Sequence, residues 1–142
     1  MAETVAAIWV LRRDGTALLQ HRDDKPGLQD PGIWAPPSGH ADPGESMLDC
    51  ARRELKEETE YAALDLRFLK SFDLLNNDGE PFQVTFFWTW YDEVQSIVCH
   101  EGQELAFIKR SAAQNYQIPA FLLDVWDASV AAAYATAAPI QP

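Results

Sequence analysis

Residues 39–61 read GHADPGESMLDCARRELKEETEY, and this stretch decides how the rest of the chain is organised. Pro43 and Gly44 break any helix that precedes them. The Ser46 hydroxyl can accept from an early helical N–H, and Asp49 sets a negative charge in the first turn. The spacing therefore predicts a helix over residues 46–59. Leu48, Ala51 and Leu55 recur at i, i+3 and i+7, an apolar stripe that should face a core. Asp49, Arg52 and Lys56 fall on the opposite, solvated side. Glu54, Glu57 and Glu58 form a third stripe between them, spaced i, i+3, i+4 on one helix surface.

Three carboxylates so close repel one another, by roughly a few tenths of a kcal/mol per i, i+4 pair. Lys56 lies on the wrong side to offset them, and Arg53 is placed to pair with one of them, not with three. A divalent cation would resolve the conflict, since hard ions take oxygen from carboxylates, waters and substrate phosphates together. A solvated acidic face is the competing reading, and the spacing alone leaves both open.

Outward from this helix the chain alternates strand and turn. Residues 4–12 (TVAAIWVLR) and 16–21 (TALLQH) are predicted strands joined by a hairpin turn at Asp14 and Gly15. Residues 22–32 (RDDKPGLQDPG) are rich in Pro and Gly and read as loop. Ile33, Trp34 and Ala35 form a short apolar run before Pro36, Pro37, Ser38 and Gly39. Residues 66–75 and 83–91 are predicted strands joined by a polar turn at residues 76–79. A further strand is expected over 104–109, and an alanine-rich helix over 120–137. In the aromatic strand, Val84, Phe86, Trp88 and Trp90 share one face, and Thr85, Phe87, Thr89 and Tyr91 the other. One of these rings could stack on a nucleobase, but both faces read better as packed core in a central strand. The order of elements gives a single mixed α/β domain over 1–142, with helices covering a central sheet.

Composition narrows the function classes. At 47% hydrophobic and 23% charged residues, the 142-residue chain is that of a soluble globular domain. Its net charge of −11, from 22 acidic and 11 basic residues, argues against a nucleic-acid polymer as partner, because no basic stripe is present to displace counterions. No apolar run reaches the length of a membrane span, and residues 1–4 do not read as the start of a signal peptide. A cytoplasmic location is the expectation. Cys50 and Cys99 form no CxxC pair and are expected to be reduced core thiols. His21, His40 and His100 lack zinc spacing, and no Ser/His/Asp nucleophilic set is present.

Read whole, the segment resembles the Nudix signature: Gly39, five residues, Glu45, seven residues, then Arg53, Glu54, the apolar Leu55, and Glu57 and Glu58, closing on Tyr61. The lead-in through Leu18, Leu19, Gln20, His21 and Arg22, with Trp34 shortly before Gly39, is similar as well. The resemblance covers the first half of the chain well and the rest loosely. It implies a Nudix-type α/β/α sandwich with a central mixed β-sheet. It also implies a loop–helix–loop that holds Mg²⁺ (or Mn²⁺) and hydrolyses a nucleoside diphosphate linked to some other group X.

Carried over residue by residue, Glu57 and Glu58 are implied as the principal metal ligands, with Glu54 a further ligand or the general base. Arg53 is implied to fix a glutamate's orientation, and Glu45 to stabilise the loop. Ser38 and Gly39 are implied to meet the substrate, and the backbone carbonyl of Ser38 is an implied oxygen donor to the metal. Glu101, then Glu104, best resembles the later-loop glutamate that some relatives use as ligand or base, against the plainer reading of an exposed loop acid. Arg22 is implied to meet substrate phosphate. One position departs: Glu60 stands where the family usually has Gly. Positive φ there costs a non-glycine residue roughly 1 kcal/mol or more, so the helix is expected to run on toward Ala62 and Ala63. Nucleoside triphosphates, oxidised nucleotides and nucleotide sugars are all compatible substrates. The absence of an extra N-terminal region tilts the expectation toward free nucleotides. A non-catalytic nucleotide-sensing module with a Nudix fold is the alternative, and a homodimer is left open.

Overall fold

The computed structural model describes residues 3–23 and 32–137. Its elements run β1 (Glu3–Leu11), β2 (Ala17–His21), β3 (Trp34–Ala35), β4 (Ser38–His40), α1 (Met47–Thr59), β5 (Arg67–Leu75), β6 (Pro81–Trp90), β7 (Glu104–Ile108), a short 3-10 helix (Arg110–Asn115) and α2 (Ala120–Ala137). Much of the loop expected over 22–32 falls on residues 24–31, which lie outside the described residues.

β1 is the strand about which the fold is arranged. One edge runs parallel to β6 along its whole length, from Glu3 opposite Phe82 to Leu11 opposite Trp90. Its other edge is shared: Val5 to Ala7 pair antiparallel with β4, while Leu11 at the far end pairs with Ala17 of β2. β2 in turn carries β7 and β3, and β5 lies outside β6. The sheet is thus mixed, and it forks at β1: β4 takes the Val5 end and β2 the Leu11 end, with Pro37 O accepting from the Ile8 N–H between them.

Alternation along β1 assigns the two layers. Ala6, Ile8 and Val10 meet Cys50, Ala51 and Leu55 of α1. Ala7, Trp9 and Leu11 meet Val125, Trp126 and Ala133 of α2. Trp126 stacks on Trp9 with ring centroids 5.9 Å apart, and its Nε1–H donates to the Gly15 carbonyl at 3.0 Å. Gly15 takes φ 87°, as the hairpin turn requires. Val84, Phe86 and Trp88 lie in the α2 layer and Phe87 in the α1 layer, so these aromatics of β6 pack as core. A helix on each face of the mixed sheet is the α/β/α sandwich expected. No helix among the described residues is long and apolar enough to cross a membrane.

Several expectations need correction. Leu48 does not belong to the buried stripe; it is 39% exposed, and the buried face is Cys50, Ala51, Leu55, Glu58 and Thr59. The helix is rotated because its inner face must fit both β1 and β4. β4 itself was missed, since Ser38 and Gly39 follow two prolines and read as turn. The 3-10 helix was missed as well. α1 stops at Thr59 and does not run on: Glu60 adopts φ 65°, ψ 4°, and its N–H donates to Lys56 O at 2.9 Å. Both cysteines are free, but only Cys50 is buried, and Cys99 is exposed.

Candidate active site

The site begins at the N-terminal end of α1. Ser46 caps the helix as its sequence suggests, accepting from the Asp49 N–H at 3.1 Å. Glu45, one residue earlier, accepts from the Asp42 N–H at 3.0 Å and closes the preceding loop. Arg53 then gathers the acids. Its Nε and Nη2 donate to the two Glu45 oxygens at 2.8 Å each, Nη1 donates to Glu54 at 2.7 Å and Glu57 at 3.2 Å, and Nη2 reaches the His40 carbonyl at 3.0 Å. Arg53 therefore pairs with two of the three stripe glutamates as well as Glu45, more than its position in sequence suggested. The planar guanidinium makes this possible, because its donors fan out in fixed directions. Those hydrogen bonds, with help from the Asp42 backbone, hold the Glu45 carboxyl well down, at about 2.

Glu58 turns the other way, into the protein. It is 2% exposed, and its Oε2 receives no hydrogen bond from any described residue. Its Oε1 lies 3.4 Å from Gln20 Nε2. Burial pushes its carboxyl up to about 9, helped by a hydrogen bond shared with Glu54 and by the charges of Glu101 and Glu54; the Ser38 backbone works in the opposite sense. A carboxyl buried in the company of two others holds its proton more tightly, because burial and like charge both disfavour the ionised form. Glu54 reaches this position across Gly39: a Cβ built on Gly39 would stand 2.0 Å from Glu54 Cδ. The glycine is needed here for close approach, at the strand β4 over which the side chain lies.

The loop before β7 completes the arrangement. The N–H groups of Val98 and His100 donate to Thr59 O and Glu58 O at 2.9 and 3.0 Å, satisfying carbonyls at the end of α1. Gln20 Nε2 donates to Glu101 O at 2.7 Å, and Gln103 N donates to His21 O at 2.8 Å. Glu101 is thereby held where its charge is felt at Glu58. Glu104 sits in β7 opposite His21, exposed. Arg22 follows β2, with its N–H on Ile33 O and its carbonyl accepting from Gln103 Nε2. The structure thus brings together Glu54, Glu58, Glu101, Gly39 and the Ser38 backbone. Glu57 stands on the rim, its side chain 57% exposed and turned to Arg53. Sequence reasoning missed Gln20, which bridges Glu58 and Glu101; its one signal is a polar residue inside an otherwise apolar strand.

Residues 1–119 match the NUDIX domain. The chain belongs to the NUDIX family. Within it, 39 residues are 49% identical to bis(5'-nucleosyl)-tetraphosphatase [asymmetrical] of Mus musculus, a match spanning 28% of this chain and 26% of that one. A 58-residue stretch is 38% identical to an RNA pyrophosphohydrolase of Erythrobacter litoralis, over 41% of this chain and 34% of the relative. The chain thus matches only a quarter to a third of the length of these curated relatives. A solved C. elegans Ap4A hydrolase binary complex superposes with a TM-score of 0.75 at 22% identity, covering 96% of this chain and 99% of that one, which shows a common fold.

Among the described residues of this NUDIX chain, no three or more His, Cys, Asp or Glu side chains stand ready-gathered around a metal position. Arg53 holds Glu57 outward and takes one oxygen of Glu54. The donor chemistry nevertheless fits a hard divalent ion. Burial, Glu54 and Glu101 all oppose ionisation of Glu58, and its Oε2 has no hydrogen-bond partner among the described residues. A cation would satisfy that oxygen and favour the ionised carboxylate.

Proposed function

We propose that the chain is a metal-dependent hydrolase of phosphoric anhydride bonds, cleaving the diphosphate of a nucleoside diphosphate linked to a further group. The observation that carries this reading is the buried Glu58 with its unpartnered Oε2, set beside Glu101 and the half-buried Glu54. Mg²⁺ or Mn²⁺ would be held by Glu54, Glu57, Glu58 and Glu101, with the Ser38 backbone adjoining. When bound, the ion neutralises charge on the diphosphate and acidifies water. Arg53 holds Glu54 and Glu57 at fixed orientation, and Glu45 holds Arg53. Glu54 and Glu101 are the two carboxylates placed to accept the proton of the attacking water. Arg22, beside Gln103 at the end of β2, meets substrate phosphate.

For the group beyond the diphosphate, we favour a nucleotide, as for the tetraphosphatase, over a long RNA, as for the RNA pyrophosphohydrolase. The net charge of −11 supports the same choice, because a polymer with many phosphates would be repelled where a small metal-bridged one is not. Nucleoside triphosphates, oxidised nucleotides and nucleotide sugars remain in the same chemical class.

The test is product release from a panel of all four groups. Turnover should require Mg²⁺ or Mn²⁺, disappear on chelation and return when the ion is restored. Product formation indifferent to chelation would overturn the proposal, and tight nucleotide binding with no product would favour a sensing module. Within the same assay, Gly39→Ala should lower kcat by roughly tenfold or more, in the range seen when a supporting contact is lost. Its methyl must push the Glu54 carboxylate aside, yet the displaced atoms are the flexible end of a side chain, so the melting temperature should hardly move.

A further inference from the structure

Glu60 is held at φ 65°, ψ 4°, a left-handed conformation that glycine enters without strain and a residue with a Cβ does not. Its carboxylate reaches across the end of α1 to His100 Nε2 in the loop before β7. His100 immediately precedes Glu101. We propose that Glu60 is a positioning residue: through His100 it holds the 97–103 loop so that Glu101 stands beside Glu58. The inference rests on the reading of Glu54, Glu58 and Glu101 as the working carboxylates.

The loop is anchored on two sides. Toward α1, the Val98 and His100 N–H groups bond Thr59 O and Glu58 O. Toward β2, Glu101 O accepts from Gln20, Gln103 N donates to His21 O, and Gly102 passes so close that a Cβ would stand 2.7 Å from His21 O. Glu101 lies between these anchors. Apart from the Gln103 side chain on Arg22 O, the bonds that fix the loop's path use main-chain atoms of the loop. The Glu60–His100 pair is the side-chain contact that ties the loop to the residue ending the helix. Two further ties support the same edge: the Gln95 side-chain amide pairs with both N and O of Ala62, and the Tyr61 hydroxyl accepts from the Asp92 N–H. They act on residues 92–95, so of these side-chain ties at the end of α1 the Glu60–His100 contact is the one nearest Glu101.

A purely structural role and a positioning role predict different results for Glu60→Gly. Glycine relieves the left-handed conformation, and an exposed ion pair contributes little to stability. The melting temperature should therefore stay level or rise. Even so, kcat should fall about threefold to tenfold with KM little changed, and the Val98 and His100 amides should exchange about threefold to tenfold faster by NMR. His100→Ala should lose activity to the same extent, and the double variant no more than either alone. Glu60→Gln, which can still hydrogen-bond the imidazole, should recover most of the rate.

Unchanged amide exchange in Glu60→Gly, or losses in the double variant that multiply, would overturn the inference. So would a fall in kcat that merely tracks a fall in melting temperature. If wild type itself turns over nothing on the panel, the functional reading fails. Amide exchange then still decides whether Glu60 holds the loop.

Discussion

Glu58→Gln should remove turnover almost completely while leaving a protein that folds as well as wild type or better. Losing a group that merely supports a metal ligand costs about 10–100-fold; losing the innermost ligand itself should exceed that, and a fall of about a thousandfold or more in kcat/KM is expected. The stability effect has the opposite sign for a reason visible in the site. The Glu58 carboxyl is pushed up to about 9 in the folded chain, from an ordinary value near 4.5, first by burial and then by Glu54 and Glu101. A group raised in this way contributes stability that is fully present below about pH 4.5. The contribution is lost as pH rises toward about 9, because over that window the unfolded chain has released the proton and the folded chain has not. Metal-free wild type should therefore melt progressively lower from pH 5 to pH 9. Glu58→Gln should show a much flatter profile over the same range. Addition of Mg²⁺ should raise the wild-type melting temperature most at the alkaline end and leave the variant nearly unmoved. A variant with wild-type turnover would take Glu58 out of the chemistry, and a pH profile unaltered by the substitution would remove the physical cause assigned here.

The sequence revealed much of this site because its devices are local. Ser46 and Asp49 announce a helix start whatever surrounds them, and Glu54, Glu57 and Glu58 share a surface by helical spacing alone. The core role of the β6 aromatics was legible for a similar reason, since a strand apolar on both faces must be covered on both. What sequence could not supply was the direction in which the helix is turned. Leu48 fits the apolar period as well as Cys50 does, yet the fork between β4 and β2 accepts the face bearing Cys50 and Glu58. That choice separates a buried Glu58 from a rim Glu57, two residues that look alike in sequence. Glu60 is the other case. Local preference argued for a longer helix, but the loop of residues 98–100 supplies N–H donors to the last carbonyls, and the ion pair with His100 accompanies the left-handed turn. Gln20 and Glu101 meet across 81 residues, a distance over which no pattern reading reaches.

Arg53→Ala should be the most damaging substitution on the outer side of the helix, and it should act on stability and turnover together. Its guanidinium holds both oxygens of Glu45, one of Glu54 and one of Glu57, with the His40 carbonyl besides. Removing it leaves four acids, counting Asp42 at 3.6 Å, without their shared counter-charge. The side chain is 28% exposed, so water softens the loss, and a drop of roughly 5 °C in melting temperature is expected rather than outright unfolding. Turnover should fall about 10–100-fold, the range for a residue that orients a ligand. Arg53→Lys should recover little of either, because a single ammonium cannot donate to Glu45 and Glu54 along the divergent directions that the guanidinium uses. The acid side of the stability profile carries the sharper signature. Arg53 depresses the Glu45 carboxyl to about 2, so its stabilisation is complete above about pH 4.5 and is lost as pH falls toward 2. In Arg53→Ala that acid-side decline should largely vanish, whereas the alkaline decline due to Glu58 should persist. If the two limbs moved together, Glu45 and Glu58 would belong to one electrostatic unit. The two are instead set apart, Glu45 in the loop before α1 against Arg53 and Glu58 on the buried face of the helix.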